Sequence, residues 1–375
     1  MKLGIDIREL EKGKRTGIGR YLRNFIAYML QSRPEHQLCL YGNQHTEVDF
    51  EAGNAVVRLE EEGITLWWDQ AILPKFAAED GIDVFLSPYV KGPVRIACPL
   101  VTTVHDLLFL VFPEYSNWRQ KPRQMLAKRM ARWVGKRADL ILTDSEYSRG
   151  DIRALLGLTG EKIQVLPMGV DENYRPVRDR YEVERVCAAY AIAPPYIFYL
   201  GNFKPHKNVQ GLIRAFAHLP EAVRRQYPLV LGGRQDAWQS QRRQLVRELD
   251  LDDTVHFIGA VADADMPALY SGAELFVFPS FYEGFGLPPL EAMACGTAVV
   301  ASSRTSIPEV VGEAGCLVDP EDSEVLVAAM SRILEDGQER CRLEEAGLER
   351  AAQFRSVDLC RRQMEMLERV AEVGR

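Results

Sequence analysis

Short apolar runs and amphipathic stretches alternate along the chain, and this alternation predicts strands and helices in turn. Residues 3–7, 37–41, 84–86, 101–104, 140–143 and 163–166 are brief, apolar and rich in β-branched or aromatic side chains, as buried parallel strands are. Helical spacing appears between them. Leu22, Phe25, Ile26, Met29 and Leu30 share one face after a polar, glycine-bearing loop over residues 9–19, and a second helix is expected over residues 68–78. The pattern then restarts, with strands expected at 196–200, 228–231, 255–258, 275–278 and 298–301, and closing helices at 323–334, 338–353 and 357–370. Residues 172–195 lie between the two series. They are charged, proline-bearing and weakly patterned, and read as a linker. The fold class is therefore α/β, with two doubly wound Rossmann-like domains over residues 1–171 and 196–354.

Composition narrows the function. A length of 375 residues suits two cores, and 47% hydrophobic with 26% charged residues is ordinary for a globular protein. A net charge of −7 argues against general nucleic-acid binding. The seven cysteines are scattered and form no Cys-x-x-Cys, the pattern of free thiols in a reducing compartment rather than of a disulfide frame or zinc site. Residues 1–8 are strand-like, with charges where a signal peptide would be apolar, and no run reaches a membrane-spanning length. A cytoplasmic protein is expected, with a peripheral place on the inner face of a membrane left open.

Several strand ends carry candidate chemistry. The run Leu275–Phe278 leads into Ser280-Phe-Tyr-Glu-Gly-Phe-Gly-Leu-Pro-Pro-Leu-Glu291, which reads as strand, glycine loop and helix N-terminus. That geometry aims backbone N–H groups and a helix dipole at one spot and suits a phosphate. Glu283 stands at the loop's start and Glu291 is expected in the first helical turn, where a carboxylate is commonly a dipole partner. Gly201-Asn-Phe-Lys-Pro-His-Lys-Asn208 follows another strand and opens another helix, so Lys207 is either an anion ligand or a solvated lysine. Gly17 and Gly19 precede the first helix and either approach a ligand or serve the turn alone. His105 ends a strand, where open α/β sheets bind ligands, or is a histidine satisfied by a backbone carbonyl. Arg234 follows the strand at 228–231. Asp263 and Asp265 form Asp-x-Asp, for which N-capping by Asp263 of the helix holding Met266, Leu269 and Tyr270 is the expected explanation. Residues 118–137 contain no acid. Met125, Leu126, Met130, Trp133 and Val134 would form one helix face flanked by Arg123, Lys128, Arg129, Arg132 and Lys136, which fits an anionic membrane surface or a core helix with a solvated basic side.

The spacing of Glu283 and Glu291, with Phe-Gly-Leu-Pro inside and Ala-Met-Ala-Cys-Gly after it, resembles the signature of the retaining glycosyltransferases of family GT4, which have the GT-B fold. The resemblance spans nearly the whole chain and is strongest over residues 196–319. It implies two domains facing across a cleft that holds a nucleotide-diphosphate sugar, and a C-terminal helix over residues 355–375 that packs back on the first domain. Thr-Val-His-Asp at 103–106 resembles the family's active-site histidine segment, so His105 would contact the transferred sugar. Glu283 would bind a hydroxyl of that sugar, and Glu291 the ribose hydroxyls. Lys207 would pair with the diphosphate. Gly17, Gly284, Phe285, Gly286 and Leu287 would line the donor, and the backbone near Ala260 and Val261 would hold the base. Many members carry Arg directly after the glycine where this chain has Asn202, and His206, Lys204 or Arg15 are the candidate replacements.

The resemblance implies sugar transfer with retained configuration, no metal and no other cofactor. Thr16-Gly-Ile-Gly-Arg-Tyr21 and the segment 103–106 are similar to bacterial surface-polysaccharide mannosyltransferases, which favours GDP-mannose over UDP- or dTDP-sugars. The acceptor implied is a saccharide or lipid-linked saccharide. A GT-B-fold epimerase and a sugar-binding protein are the competing classes.

Overall fold

The two series of short apolar runs become two parallel sheets in the computed structural model, which describes residues 1–13, 16–48, 50, 53–112, 121–236 and 238–374. The chain divides into one unit of residues 1–169 and 356–375 and a second of residues 170–355.

The first unit holds β1 (Lys2–Asp6), β2 (Gln37–Asn43), β3 (Ala55–Glu60), β4 (Val84–Ser87), β5 (Leu100–Thr103), β6 (Leu140–Thr143) and β7 (Ile163–Val165), in the order β3-β2-β1-β4-β5-β6-β7. Successive side chains point to opposite faces, so each strand feeds two cores. Leu38 and Leu40 pack with Leu22, Phe25 and Ile26 of the helix Gly17–Ser32 on one side. Cys39 and Tyr41 pack with Phe85, Val134 and Ile152 on the other. The helix Ser356–Val373 belongs to this unit, and its Leu359, Cys360, Met364 and Leu367 complete the first of these cores. Burying each such large apolar side chain stabilises the unit by about 1.5–3 kcal/mol.

The second unit holds β8 (Tyr196–Leu200), β9 (Leu229–Gly232), β10 (Val255–Gly259), β11 (Ala273–Phe278), β12 (Val299–Ser302) and β13 (Cys316–Val318), in the order β10-β9-β8-β11-β12-β13. Its centre is aromatic: Tyr270 meets Phe276 edge-on at 5.3 Å and Phe198 at 5.5 Å between ring centroids. Both sheets are parallel and both reverse their winding direction at an inner pair of strands, β1/β4 and β8/β11.

Three expectations need correction. Residues 172–195 do not form a bare linker. They contain the helix Arg180–Ala189, capped by Asp179, with Val183, Val186 and Cys187 buried within the second unit. Its apolar stripe is three residues wide, too thin to show against the surrounding charge. The first helix begins at Gly17, not Arg20, because the Thr16 side chain accepts a hydrogen bond from the Gly19 amide and caps it. Asp263 is not the N-cap of the helix Met266–Ser271. Asp265 holds that position without a side-chain cap bond, and instead accepts from the Tyr190 hydroxyl at 2.8 Å.

Candidate functional site

In a doubly wound sheet, chains leaving the two strands at the reversal point turn to opposite sides and open a crevice at the strand ends. In the second unit those strands are β8 and β11, and the loops that leave them carry Lys207 and Glu283. The two side chains meet: Lys207 Nζ donates to Glu283 Oε1 at 2.6 Å, and it also lies 5.2 Å from the centre of the Phe278 ring. Each side chain is 13% exposed, so the pair is shielded from bulk water yet reachable from it.

The loop after β11 is held from behind. Ser306 Oγ donates to the carbonyl oxygens of Glu283 (2.9 Å) and Phe285 (2.8 Å), and the Glu283 amide donates to Thr305 Oγ1. Gly286 takes a φ of +113° at the N-cap of the helix Leu287–Ala294, and a Cβ there would come within 3.1 Å of Ile307 Cδ1. Only glycine satisfies both conditions. Gly284, Phe285 and Leu287 are buried in this turn. Because the helix starts at Leu287, Glu291 falls in its second turn rather than its first, and the dipole argument for it lapses. Its carboxylate is 2% exposed and accepts from the Tyr270 hydroxyl at 2.9 Å.

The remaining donor-side candidates sit on neighbouring strand ends. Asn202 follows β8, and its Oδ1 accepts from the Lys204 amide at 3.2 Å. Arg234 follows β9 and is exposed, and Val261 follows β10 and is partly buried. Of the groups weighed as a second phosphate contact, His206 is placed to serve as an N–H donor and not as a cation. It is buried, and burial beside Lys207 and Lys204 pushes its ring down to about 3, so it is neutral. Lys204 is exposed. Arg15 lies outside the described residues.

The first unit brings together a different set. His105 follows β5, where its Nδ1 lies 2.7 Å from Asp144 Oδ2 and its Nε2 lies 3.0 Å from the Pro88 carbonyl oxygen. The Tyr21 ring stands edge-on to it at 5.2 Å. The Tyr21 hydroxyl lies 3.2 Å from Thr103 Oγ1 and accepts from Gln363 Nε2 at 2.6 Å. Burial opposes a charge on His105, but the Asp144 carboxylate and its hydrogen bond outweigh burial and leave the ring above its ordinary value. Gly17 is exposed in the first helical turn, with no atom within 4 Å of where a Cβ would be.

Near the end of β1, Arg8 is buried among Asp6, Asp69 and Glu62, at 2.7, 2.5 and 3.0 Å. Tyr89 donates to Asp6 from after β4. Asp144, Tyr21, Gln363 and the Arg8 cluster were given no site role from the sequence: His105 and Asp144 are 39 residues apart, Tyr21 and Gln363 are 342 apart, and only Asp6, two residues from Arg8, is a local partner. Among the described residues, no group of three or more His, Cys, Asp or Glu side chains is placed to hold a metal.

The basic segment is a helix over Lys121–Arg137, with residues 118–120 outside the described part. Its inward stripe is Ala131 and Val134, not the broader face expected. Met125, Leu126 and Trp133 are 65%, 58% and 50% exposed, alongside exposed Lys128, Arg129, Arg132 and Lys136. Among the described residues no helix is long and apolar enough to cross a membrane.

Residues 190–350 match the profile of the glycosyl transferases group 1, and residues 15–174 that of glycosyltransferase family 4. O-antigen chain mannosyltransferase B of Escherichia coli is 33% identical over 356 residues, covering 90% of this chain and 92% of that enzyme. Two solved structures share the fold at lower identity. Sucrose-phosphate synthase from Thermosynechococcus elongatus has a TM-score of 0.81 at 21% identity, with 99% of each chain covered. Anabaena HepE, solved in complex with UDP-glucose, has a TM-score of 0.77 at 22% identity, covering 98% of this chain and 99% of that one.

Proposed function

Because this chain belongs to glycosyltransferase family 4 and has the GT-B fold, we propose that it moves mannose from GDP-mannose to a saccharide or lipid-linked saccharide during synthesis of a cell-surface polysaccharide. That it is a glycosyltransferase follows from the family, and the mannose reading is carried by its similarity to the O-antigen mannosyltransferase along nearly all of both chains.

The chemistry assigns roles as follows. Lys207 neutralises the diphosphate, on which negative charge grows as the sugar departs. Glu283 gives up its bond to Lys207 and accepts from a sugar hydroxyl. Glu291, held in one orientation by Tyr270, accepts from the ribose hydroxyls, since a carboxylate can take two donors. Backbone N–H groups of Phe285, Gly286 and Leu287 face sugar and phosphate, Gly17 allows the donor close approach, and Asn202, Arg234 and Val261 border it. His105 contacts the transferred sugar. Configuration is retained without metal or other cofactor. The protein acts in the cytoplasm, where the exposed apolar and basic side chains of the helix Lys121–Arg137 rest on an anionic membrane surface.

UDP-glucose, bound by HepE, marks the second reading, a UDP-sugar donor. The test is a titration of GDP, UDP, dTDP and ADP with and without EDTA, followed by a transfer assay with the matching sugars. GDP should raise the apparent Tm in the presence of EDTA, through linkage. A response to UDP or dTDP alone removes mannose and keeps the enzyme class. Silence toward all four from folded protein removes the donor site assigned here.

A further inference from the structure

His105 is flanked by two acceptors, and proton counting restricts what it can be. A carbonyl oxygen only accepts, so the Nε2 that faces the Pro88 oxygen at 3.0 Å carries a proton. Nδ1 then either donates to an ionised Asp144 or accepts from a protonated one. Asp144 immediately precedes Ser145, the N-cap of the helix Glu146–Leu156, and the positive end of that helix favours the ionised carboxylate. Both ring nitrogens are then donors.

We propose that His105 works as a fixed imidazolium, with Asp144 as its positioning residue, and supplies positive charge to the sugar-transfer site instead of acting as a base. With both nitrogens protonated and taken, the ring has no lone pair to accept a proton. It can donate to a sugar hydroxyl only by exchanging the Pro88 oxygen for it.

The surroundings suit a retained charge. Asp106 lies beside it in the chain. Glu9, from the loop after β1, is pushed up by burial and pulled back down in part by Lys91 and by His105 itself. Tyr21, from the helix Gly17–Ser32, is pushed up by burial and stays neutral. Asp144 is itself pushed up by burial against the pull of His105, which is why the helix end matters. This inference rests on the assignment of His105 to the transferred sugar, so its test reads the ring separately from the rate.

The full chain, labelled with 15N-histidine, is recorded in two-bond 1H–15N correlation spectra from pH 6 to 9, with His105→Gln identifying the signal. The expected result is two protonated ring nitrogens at about pH 7.5, above the ordinary histidine value. In Asp144→Asn one nitrogen should be bare at that pH, and the limb of the kcat profile that is lost as pH rises should move down by about one pH unit or more. Asp144→Glu should restore part of the shift. Unchanged Tm and nucleotide affinity identify Asp144→Asn as folded. A bare nitrogen in the unmodified chain at pH 7.5 overturns the proposal, as does a ring that stays charged in Asp144→Asn. A charged ring with full transfer rates in both His105→Gln and Asp144→Asn overturns the role in transfer and leaves the ionisation standing.

Discussion

The reversal points of the two sheets have the same strand order around them and opposite electrostatic designs. At β8/β11 a lysine and a glutamate, both reachable by solvent, neutralise each other and can be parted by a charged ligand. Near β1/β4, Arg8 is buried with three carboxylates, and His105 is locked onto Asp144 with 11% and 4% of the two side chains exposed. Removing a carboxylate from the Arg8 cluster leaves an unpaired buried charge, so that cluster behaves as structure. On the proposed function, the pair in the second unit exchanges partners when the donor binds, while the Arg8 cluster in the first persists.

The sharpest way to break this contrast is Lys207→Ala. It should lower kcat/KM by about 10³-fold, the upper range for removing one group that stabilises a developing anion, while the Tm changes little. Steady-state kinetics and melting curves on one preparation decide it. A large fall in Tm with intact transfer would make the pair structural and erase the contrast. Glu291→Ala should follow, raising the Kd for the nucleotide about 30-fold, within the range for hydrogen bonds to a charged group. Calorimetric titration reads it, and an unchanged Kd refutes the ribose contact.

The smallest effect sharpens the other side. Gln363→Leu removes the donor to Tyr21 and should destabilise by about 1 kcal/mol in urea unfolding with no change in nucleotide Kd. A changed Kd would mean that the first unit's network also serves the donor.

Legibility followed the same divide. The site candidates of the second unit could be read because Lys207 lies within one short loop, and Glu283, Gly286 and Glu291 within one loop-and-helix segment, each with glycine and helix-start chemistry beside it. The His105–Asp144–Tyr21–Gln363 chain could not, since each contact joins residues far apart in sequence and no local periodicity marks it. Strand β3 was missed for another reason. It is an edge strand with Val56 and Leu59 exposed, so its side chains do not show the dense apolar run of an inner strand. The helix Gln239–Glu248 was hidden by its composition, with Leu245 and Val246 its only aliphatic side chains. In the basic helix the expected stripe was too wide, because sheet coverage uses Ala131 and Val134 and leaves the larger apolar residues outside.

The helix Ser356–Val373 has a consequence for how the protein is made. It supplies part of the first unit's core, yet it follows the entire second unit in the chain. The rest of the first unit is therefore synthesised well before its closing helix, with Leu22, Phe25 and their neighbours lacking one packing partner until the end of synthesis. Domains commonly fold from the N-terminus as they emerge. Here the earlier-made unit cannot complete its core until the last helix is made, and its uncovered apolar face is open to aggregation in the meantime.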